Sequence, residues 1–196
     1  MNDRYILSFD TGLSSGIALG KYSETEPYSL VKAYQFTEGV AGLCNWLSDH
    51  FEGHRQDVPG HFWINDGEGG WHGSFVTTII SEKFTPINHA NYALTTASVE
   101  PLRCEGALVA LGVMPDIPHK TWRRPSEMYI FGGDTLPEKK KRAYAWLKAN
   151  GMYVTGKTVG QPNADDARSA IMHGISYLVK VEKHEPTWRL LTGTVE

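Results

Sequence analysis

The chain opens with three short stretches rich in apolar residues, separated by polar turns. Residues 4–9 are apolar on both faces, as expected of a central strand, and residues 16–21 follow after a short turn. Residues 28–36 continue the pattern. Connections this short favour antiparallel pairing. The beginning of the chain is therefore predicted to form a three-stranded antiparallel meander.

The next apolar positions recur at helical spacing. They predict an amphipathic helix over residues 39–51, with Val40, Leu43, Cys44, Leu47 and Phe51 on its apolar face. The stretch "HFWIND" (61–66) then has the apolar character of a short strand. Because this strand follows a helix, we expect it to lie parallel to the first strand.

The segment 67–98 has no clear pattern, and "SFVTTIISEKF" within it fits either a helix or a strand. From Val99, "VEPLRCEGALVALGVM" predicts a helix that carries Leu102, Gly106, Val109 and Val113 on one face. The stretch "HKTWRRP" fits a short edge strand that Pro125 ends.

Two helices are predicted near the end of the sequence. Residues 135–151 have Thr135 and Glu138 in capping-box positions, Pro137 in the first turn and Gly151 after the last turn. A final helix begins near Asn163, and its small apolar face is suited to close packing on a sheet: Ala167, Ala170, Ile171, Gly174, Ile175 and Leu178. His173 on this helix is expected to be a surface residue rather than a substrate contact.

The order of these elements predicts a mixed α/β sheet with helices on both faces. We expect one domain over residues 1–196, in which 67–98 is an insertion or an irregular segment.

Composition agrees with a globular protein, since 41% of the residues are apolar, 21% are charged and the net charge is −3. No apolar run approaches the ~20 residues of a membrane span, and the N-terminus lacks the apolar core of a secretory signal. Cys44 and Cys104 do not indicate a disulfide framework. We therefore expect a cytoplasmic protein.

Carboxylates stand at three places where they are expected to meet. Asp10 ends the first strand, Asp165 and Asp166 lie in the first turn of the last helix, and Asp66 and Glu68 follow the strand at 61–66. Helical geometry places Asp166 toward the sheet, on the same side as Asn163, and Asp165 away from it.

Each carboxylate also has a plain structural interpretation. Asp10-Thr-Gly is compatible with a simple turn, the aspartate pair with the dipole of its helix, and residues 65–68 with a polar loop. Gathered in one cleft, however, these carboxylates repel one another unless hard divalent cations neutralise them. We therefore take Asp10, Asp66 and Asp166 as the candidate catalytic residues.

Positive charge is concentrated in two runs of the second half, and each run alone is compatible with a solvated face. Flanking an acidic site, the two runs suit the phosphate backbone of a nucleic acid. The candidate DNA-binding residues are Lys120, Trp122, Arg123, Arg124, Lys139, Lys140, Lys141 and Arg142.

Several of these stretches resemble one family. "ILSFDTGLSSGIALG" resembles the opening motif of RuvC-like Holliday-junction resolvases, in the RNase H-like (retroviral-integrase) superfamily. "EPLRCEGALVAL" resembles their middle helix, and "NADDARSAIMHGI" resembles their closing helix. "RRPSEMYIFGGDTLPEKKKRAYAWLKANGMYVTG" is similar to the corresponding stretch of phage-encoded members. The resemblance implies an RNase H-like sheet of five strands, three antiparallel and then parallel ones.

The resemblance also implies a set of site residues. Asp10 matches the first metal-binding aspartate of the family and Asp166 the last. The family expects a glutamate at the end of the fourth strand, where this reading of the sequence places Asn65, and an Asp or His at the position of Asn163. Four explanations of these two amides are open. A nearby carboxylate (Asp66, Glu68 or Asp165) compensates through a shifted register, or the affinity for metal is weakened. Otherwise the chain is a non-catalytic relative, or the amides are introduced substitutions. The metal-site candidates are thus Asp10, Asn65, Asp66, Glu68, Asn163, Asp165 and Asp166.

The function implied by the resemblance is a phage-encoded endonuclease of the host cytoplasm, acting on branched DNA such as a four-way junction. It implies Mg²⁺ or Mn²⁺, two ions in all, and products with 5′-phosphate and 3′-hydroxyl ends. Two symmetrical cuts imply a homodimer. A catalytically impaired junction-binding relative is the alternative that Asn65 and Asn163 support. An actin-like nucleotide-binding protein begins in a similar way, but this chain length leaves little room for a duplicated domain.

Overall fold

The computed structural model describes residues 3–52, 63–65, 71–72, 76–82, 96–110, 119–122 and 130–193. The strands of this part of the chain are β1 (Arg4–Asp10), β2 (Ser15–Tyr22), β3 (Ser29–Phe36), β4 (Phe51–Glu52), β5 (Trp63–Asn65), β6 (Trp71–His72), β7 (Val76–Glu82) and β8 (His119–Trp122). Its helices are α1 (Gly39–His50), α2 (Thr96–Ala110), α3 (Leu136–Ala149), α4 (Gly156–Val159), α5 (Asp165–Lys180) and α6 (Glu185–Thr192). No helix among these residues is both long and apolar enough to cross a membrane.

The main sheet has the strand order β3-β2-β1-β7-β8, with β1 in the middle. β1 and β3 each pair antiparallel with β2, whereas β7 lies parallel to β1 and β8 lies parallel to β7. The predicted meander and the predicted short edge strand near residue 120 are both present. The mixed α/β class predicted from the sequence is confirmed.

The parallel neighbour of β1 is not the strand predicted for that place. Residues 63–65 form β5, the middle strand of a separate three-stranded sheet with β4 and β6. The strand beside β1 is β7, which comes from the segment 67–98. The prediction was wrong because strand pairing depends on contacts far apart in the chain, and a short apolar run does not identify its partner.

The two faces of the main sheet carry two separate cores. Alternation along β1 turns Ile6 and Ser8 toward α5, while Leu7 and Phe9 turn toward α1 and α2. The helix α5 packs on the sheet through small and aliphatic side chains. All six α5 positions predicted to face the sheet are buried: Ala167, Ala170, Ile171, Gly174, Ile175 and Leu178. Small side chains let the α5 backbone lie close to the sheet, and Ser8 Oγ donates to the Ala170 carbonyl at 2.7 Å.

The two helices on the opposite face differ in how well the sequence predicted them. α1 begins at Gly39 as predicted, where Glu100 of α2 accepts a hydrogen bond from the Val40 amide at 2.7 Å. In α2, by contrast, Leu102 and Val109 of the predicted apolar face are exposed. The buried side of α2 carries Glu100, Cys104 and Leu108 instead, and Val113 lies outside the described residues.

Candidate metal-binding site

The candidate site lies at one corner of the main sheet, where β1 ends and α5 begins. Asp10, the last residue of β1, pairs with Gly16 of β2. A Cβ at position 16 would overlap the backbone of Asp166 and Ala167, so only glycine lets α5 start this close to the sheet. The backbone of Gly16 therefore brings the end of β1 and the first turn of α5 together.

The turn between β1 and β2 is held in place from two sides. The Ser15 hydroxyl bonds both the amide and the carbonyl of Gly12, each at 3.0 Å. The Gly39 amide of α1 donates to the Leu13 carbonyl at 2.9 Å. These contacts fix the backbone that carries Ser14 beside the start of α5.

Asp166 faces this turn and the sheet. The Ser14 hydroxyl donates to the Asp166 carboxylate, and the Gln35 amide of β3 donates to Ser14 Oγ at 3.2 Å. Gln35 also accepts from the Ala167 amide at 3.2 Å. Burial raises the pKa of Asp166 above its ordinary value and Asp165 adds to this, against the lowering effects of Ser14 and Lys140. The charged form of Asp166 is thus unfavourable where it stands.

Asp165, the neighbouring residue, points to the other side of α5. Its carboxylate pairs with Lys140 of α3 and accepts from the Tyr144 hydroxyl at 3.0 Å. Arg168 lies 3.7 Å away on the same carboxylate. Burial tends to raise the pKa of Asp165, but Lys140, Tyr144 and Arg168 outweigh it and lower the pKa. Asp165 therefore points away from the corner where β1 ends and α5 begins, as the helical geometry predicted.

Asn163 lies on the exposed side of the chain that leads into α5. Its side-chain oxygen accepts from the Asp165 amide at 2.9 Å, which satisfies one of the amides at the start of the helix. The Asn163 side chain thus closes an Asx-type turn just before α5 begins.

A further carboxylate residue, which the sequence reasoning did not select, stands beside Asp10. In the parallel pairing of β1 and β7, Phe9 lies opposite Ser81. The residues that follow them, Asp10 and Glu82, therefore end adjacent strands. For Glu82 the structure describes the backbone position only. The signal was present in the sequence, because "VTTIIS" is a strongly β-branched run that Glu82 terminates.

The second group of predicted acidic residues is not placed at this corner. Asn65 ends β5 in the separate sheet, so the place beside Asp10 that was predicted for it is taken by Glu82. Asp66 and Glu68 lie outside the described residues.

His173 is buried, contrary to its predicted place on the surface. It lies on α5 two turns after Asp166, and its Nε2 is 4.0 Å from Asp10 Oδ1. Burial lowers the pKa of His173 to about 3. The side chain is therefore a neutral imidazole that lies behind Asp10.

The predicted basic residues occupy two places. Lys139–Arg142 lie in the first half of α3, where Lys140 pairs with Asp165 while Lys141 and Arg142 are exposed. Lys120 and Trp122 belong to the edge strand β8, and Arg123 and Arg124 lie outside the described residues. The ion pair between Lys140 and Asp165 fixes the basic half of α3 next to the start of α5.

The donor set of the corner suits a hard cation. Asp10 and Asp166 supply carboxylate oxygens, which are the ligands that Mg²⁺ and Mn²⁺ prefer. Among the side chains that the structure describes, no three His, Cys, Asp or Glu groups gather closely enough to hold a metal ion. A third carboxylate at the corner would have to come from outside that set, and Glu82 has the required strand position.

Comparison with known proteins gives matches among solved structures. No protein-family model and no curated protein sequence matches the chain. Thermus thermophilus RuvC in complex with a Holliday junction substrate has a TM-score of 0.47 and 9% identity, with 91% of this chain and 96% of that chain covered. A second Thermus thermophilus RuvC structure has a TM-score of 0.46 and 11% identity, with 88% and 94% covered. At these identities the similarity concerns the fold alone.

Proposed function

We propose that this protein is a metal-dependent, structure-selective DNA endonuclease that resolves Holliday or other branched DNA junctions by phosphodiester hydrolysis. The observation that carries the proposal is the meeting of β1, β7 and α5 at one corner, where Asp10 and Glu82 end parallel strands and Asp166 lies in the first turn of the helix. The motifs around Asp10 and Asp166 also resemble those of RuvC-like resolvases. The geometry and the resemblance both support the assignment of Asp10 and Asp166.

Asp10, Asp166 and Glu82 are the residues that we assign to Mg²⁺ or Mn²⁺. Bound there, two such ions would supply an activated water and would stabilise the leaving oxygen in phosphodiester hydrolysis. The chain contributes a rigid anionic corner. Ser14 orients the Asp166 carboxylate, and the Gly16 backbone keeps it next to the end of β1. Hydrolysis would leave 5′-phosphate and 3′-hydroxyl ends, as the resemblance implies.

We assign phosphate contacts to the basic residues of α3 and of the segment around β8. Lys141 and Arg142 are exposed on α3, and Lys140 joins that helix to the first turn of α5 through Asp165. Contacts of this kind position a phosphate backbone without reading bases. Binding should therefore depend on the branched shape of the DNA and weaken steeply as salt rises.

Resolution of a four-way junction requires two symmetrical cuts, so we propose that the active form is a homodimer. The exposed side of α2 is suited to this contact, because Leu102 and Val109 are exposed there and a Cβ at Gly106 between them would meet nothing within 4 Å. Sedimentation equilibrium should give twice the mass of the chain.

The test of the proposed function is cleavage of a labelled four-way junction in Mg²⁺ or Mn²⁺. We expect symmetrical nicks in both metals, no cleavage in EDTA, and no cleavage by Asp10→Asn, which keeps the shape of the side chain and removes its charge. A linear duplex of the same sequence is the substrate control.

Junction binding without cleavage in either metal would favour the alternative, a non-catalytic junction-binding protein. One observation supports that alternative. Asn163 stands where the family has an acidic or histidine ligand, and its side-chain oxygen is engaged by the Asp165 amide. Asn65, which also suggested this alternative from the sequence, no longer supports it, because Asn65 lies in the separate sheet.

A further inference from the structure

The imidazole of His173 lies behind one of the two aspartates of the corner. Its Nε2 is 4.0 Å from Asp10 Oδ1, and the His173 side chain has no exposed surface, whereas 17% of the Asp10 side chain is exposed. The imidazole therefore borders the Asp10 carboxylate from the interior of the protein.

The backbone fixes this arrangement from both sides of His173. Ser8, two residues before Asp10, donates to the carbonyl of Ala170, which precedes His173 by three residues. Gly174, the next residue, lies so close to Ser8 that a Cβ would come within 3.2 Å of its hydroxyl. The position of the imidazole relative to β1 is thus set by close packing of two rigid elements.

The chemistry of an imidazole suits this place. A neutral imidazole has one N–H donor and one acceptor nitrogen. It can orient a carboxylate without cancelling its negative charge, whereas a lysine or arginine there would neutralise Asp10 and oppose the binding of a cation.

We propose that His173 is a positioning residue for Asp10, whose buried imidazole holds the carboxylate in the orientation needed to bind a divalent cation. This inference rests on the proposed function of the same site. Groups that orient metal-binding side chains from behind typically change metal affinity by about 10- to 100-fold when they are removed.

The experiment measures Mn²⁺ binding to the full chain by electron paramagnetic resonance, for wild type, His173→Phe and His173→Gln. Phenylalanine fills the space without a polar atom, and glutamine restores a neutral donor. We expect about tenfold weaker binding for His173→Phe and a value within about threefold of wild type for His173→Gln. In junction cleavage, the Mn²⁺ concentration for half-maximal rate should rise for His173→Phe, while excess Mn²⁺ restores the rate and junction affinity in EDTA stays unchanged.

The matched control is Tyr177→Phe, one turn further along α5. It also removes a polar atom from a buried aromatic ring, but its hydroxyl bonds Glu182 rather than the corner. We expect its Mn²⁺ affinity to equal that of wild type. A second measurement requires no folded variant of position 173: the imidazole ¹⁵N signals of His173 in the wild-type protein should shift when Mg²⁺ is added.

The outcomes separate this inference from the proposed function. Wild type that binds no divalent cation would overturn both. Wild-type Mn²⁺ affinity in His173→Phe, equal losses in His173→Phe and His173→Gln, or ¹⁵N signals unmoved by Mg²⁺ would overturn the positioning role alone.

Discussion

The first turn of α5 has two sides that carry consecutive aspartates in opposite surroundings. On the outer side, Asp165 meets Lys140, Tyr144 and Arg168, which lower the pKa of its carboxyl. On the inner side, the Asp166 carboxylate accepts from the Ser14 hydroxyl, and burial raises its pKa. The outer carboxylate is compensated within the fold, while the inner one is compensated only in part.

This difference shows how one acidic dipeptide serves two purposes. The outer aspartate joins α5 to α3 and so contributes to the fold. The fold disfavours the charged form of the inner aspartate, which a bound cation would stabilise. Successive residues of a helix are rotated by about 100°, so the two side chains point in different directions. One can therefore stabilise the fold while its neighbour binds a cation.

The largest expected effect comes from exchanging Asp166 for asparagine. Asp166→Asn should lower junction cleavage by about a thousandfold, since several kcal/mol of metal-derived stabilisation are lost. In metal-free buffer the same variant should melt at a higher temperature than wild type, because an unfavourably buried charge is removed. Cleavage assays and thermal unfolding in EDTA measure the two quantities.

Asp165→Asn is the matched control and should behave in the opposite way. Cleavage should stay within about tenfold of wild type, and stability should fall by less than about 1 kcal/mol because the pairs around Asp165 are partly exposed. Equal losses of cleavage in both variants would contradict the division between the two sides.

A smaller effect is expected at the strand end that completes the inner side. Glu82→Gln should reduce cleavage by about a hundredfold at fixed Mg²⁺, because one carboxylate ligand is lost. Asn65→Ser, in the separate sheet, should leave the rate unchanged. If Asn65→Ser lowered the rate and Glu82→Gln did not, the original assignment from the sequence would be restored.

The contact that brings the inner side together depends on Gly16. Gly16→Ala should destabilise the protein by about 1–3 kcal/mol, because the added methyl group overlaps backbone that no rotamer change can move. Gly106→Ala is the control, since a Cβ there meets nothing within 4 Å and alanine favours the helix by about 1 kcal/mol. Urea unfolding of both variants should give shifts of opposite sign.

The smallest effect concerns α3, which supports the outer side. Thr135→Ala removes the hydroxyl that caps this helix and should cost about 1 kcal/mol. The amides of Thr135 and Asp134 hold the pKa of Glu138 below its ordinary value. Glu138 should therefore contribute fully to stability when the pH is above the ordinary pKa of a glutamate. Its contribution should disappear as the pH falls through the lowered pKa of the folded protein. Unfolding midpoints of wild type and Glu138→Gln, compared between pH 7 and pH 3, should converge at the acid end.

Features encoded in adjacent residues could be predicted from the sequence. Thr135 and Glu138 form the predicted capping box, and the first three strands pair as their short turns required. The rotation between Asp165 and Asp166 also follows from helical geometry alone. In each case the determining contacts lie within a few residues, so the local sequence contains the information.

Features that depend on distant contacts could not be predicted in the same way. The choice between 61–66 and β7 as the neighbour of β1 is made by packing across the sheet, and both segments are short and apolar. The burial of His173 likewise depends on how closely α5 approaches Ser8. Glu82 was missed because the sequence did not identify β7, the strand that Glu82 ends, as the neighbour of β1.

The most direct test of the account is a crystal structure of the protein soaked in Mn²⁺, with anomalous scattering used to locate the ions. The account predicts Mn²⁺ at the corner, with oxygen ligands from both Asp10 and Asp166. Mn²⁺ bound elsewhere at saturating concentration, with none between the end of β1 and the start of α5, would contradict it.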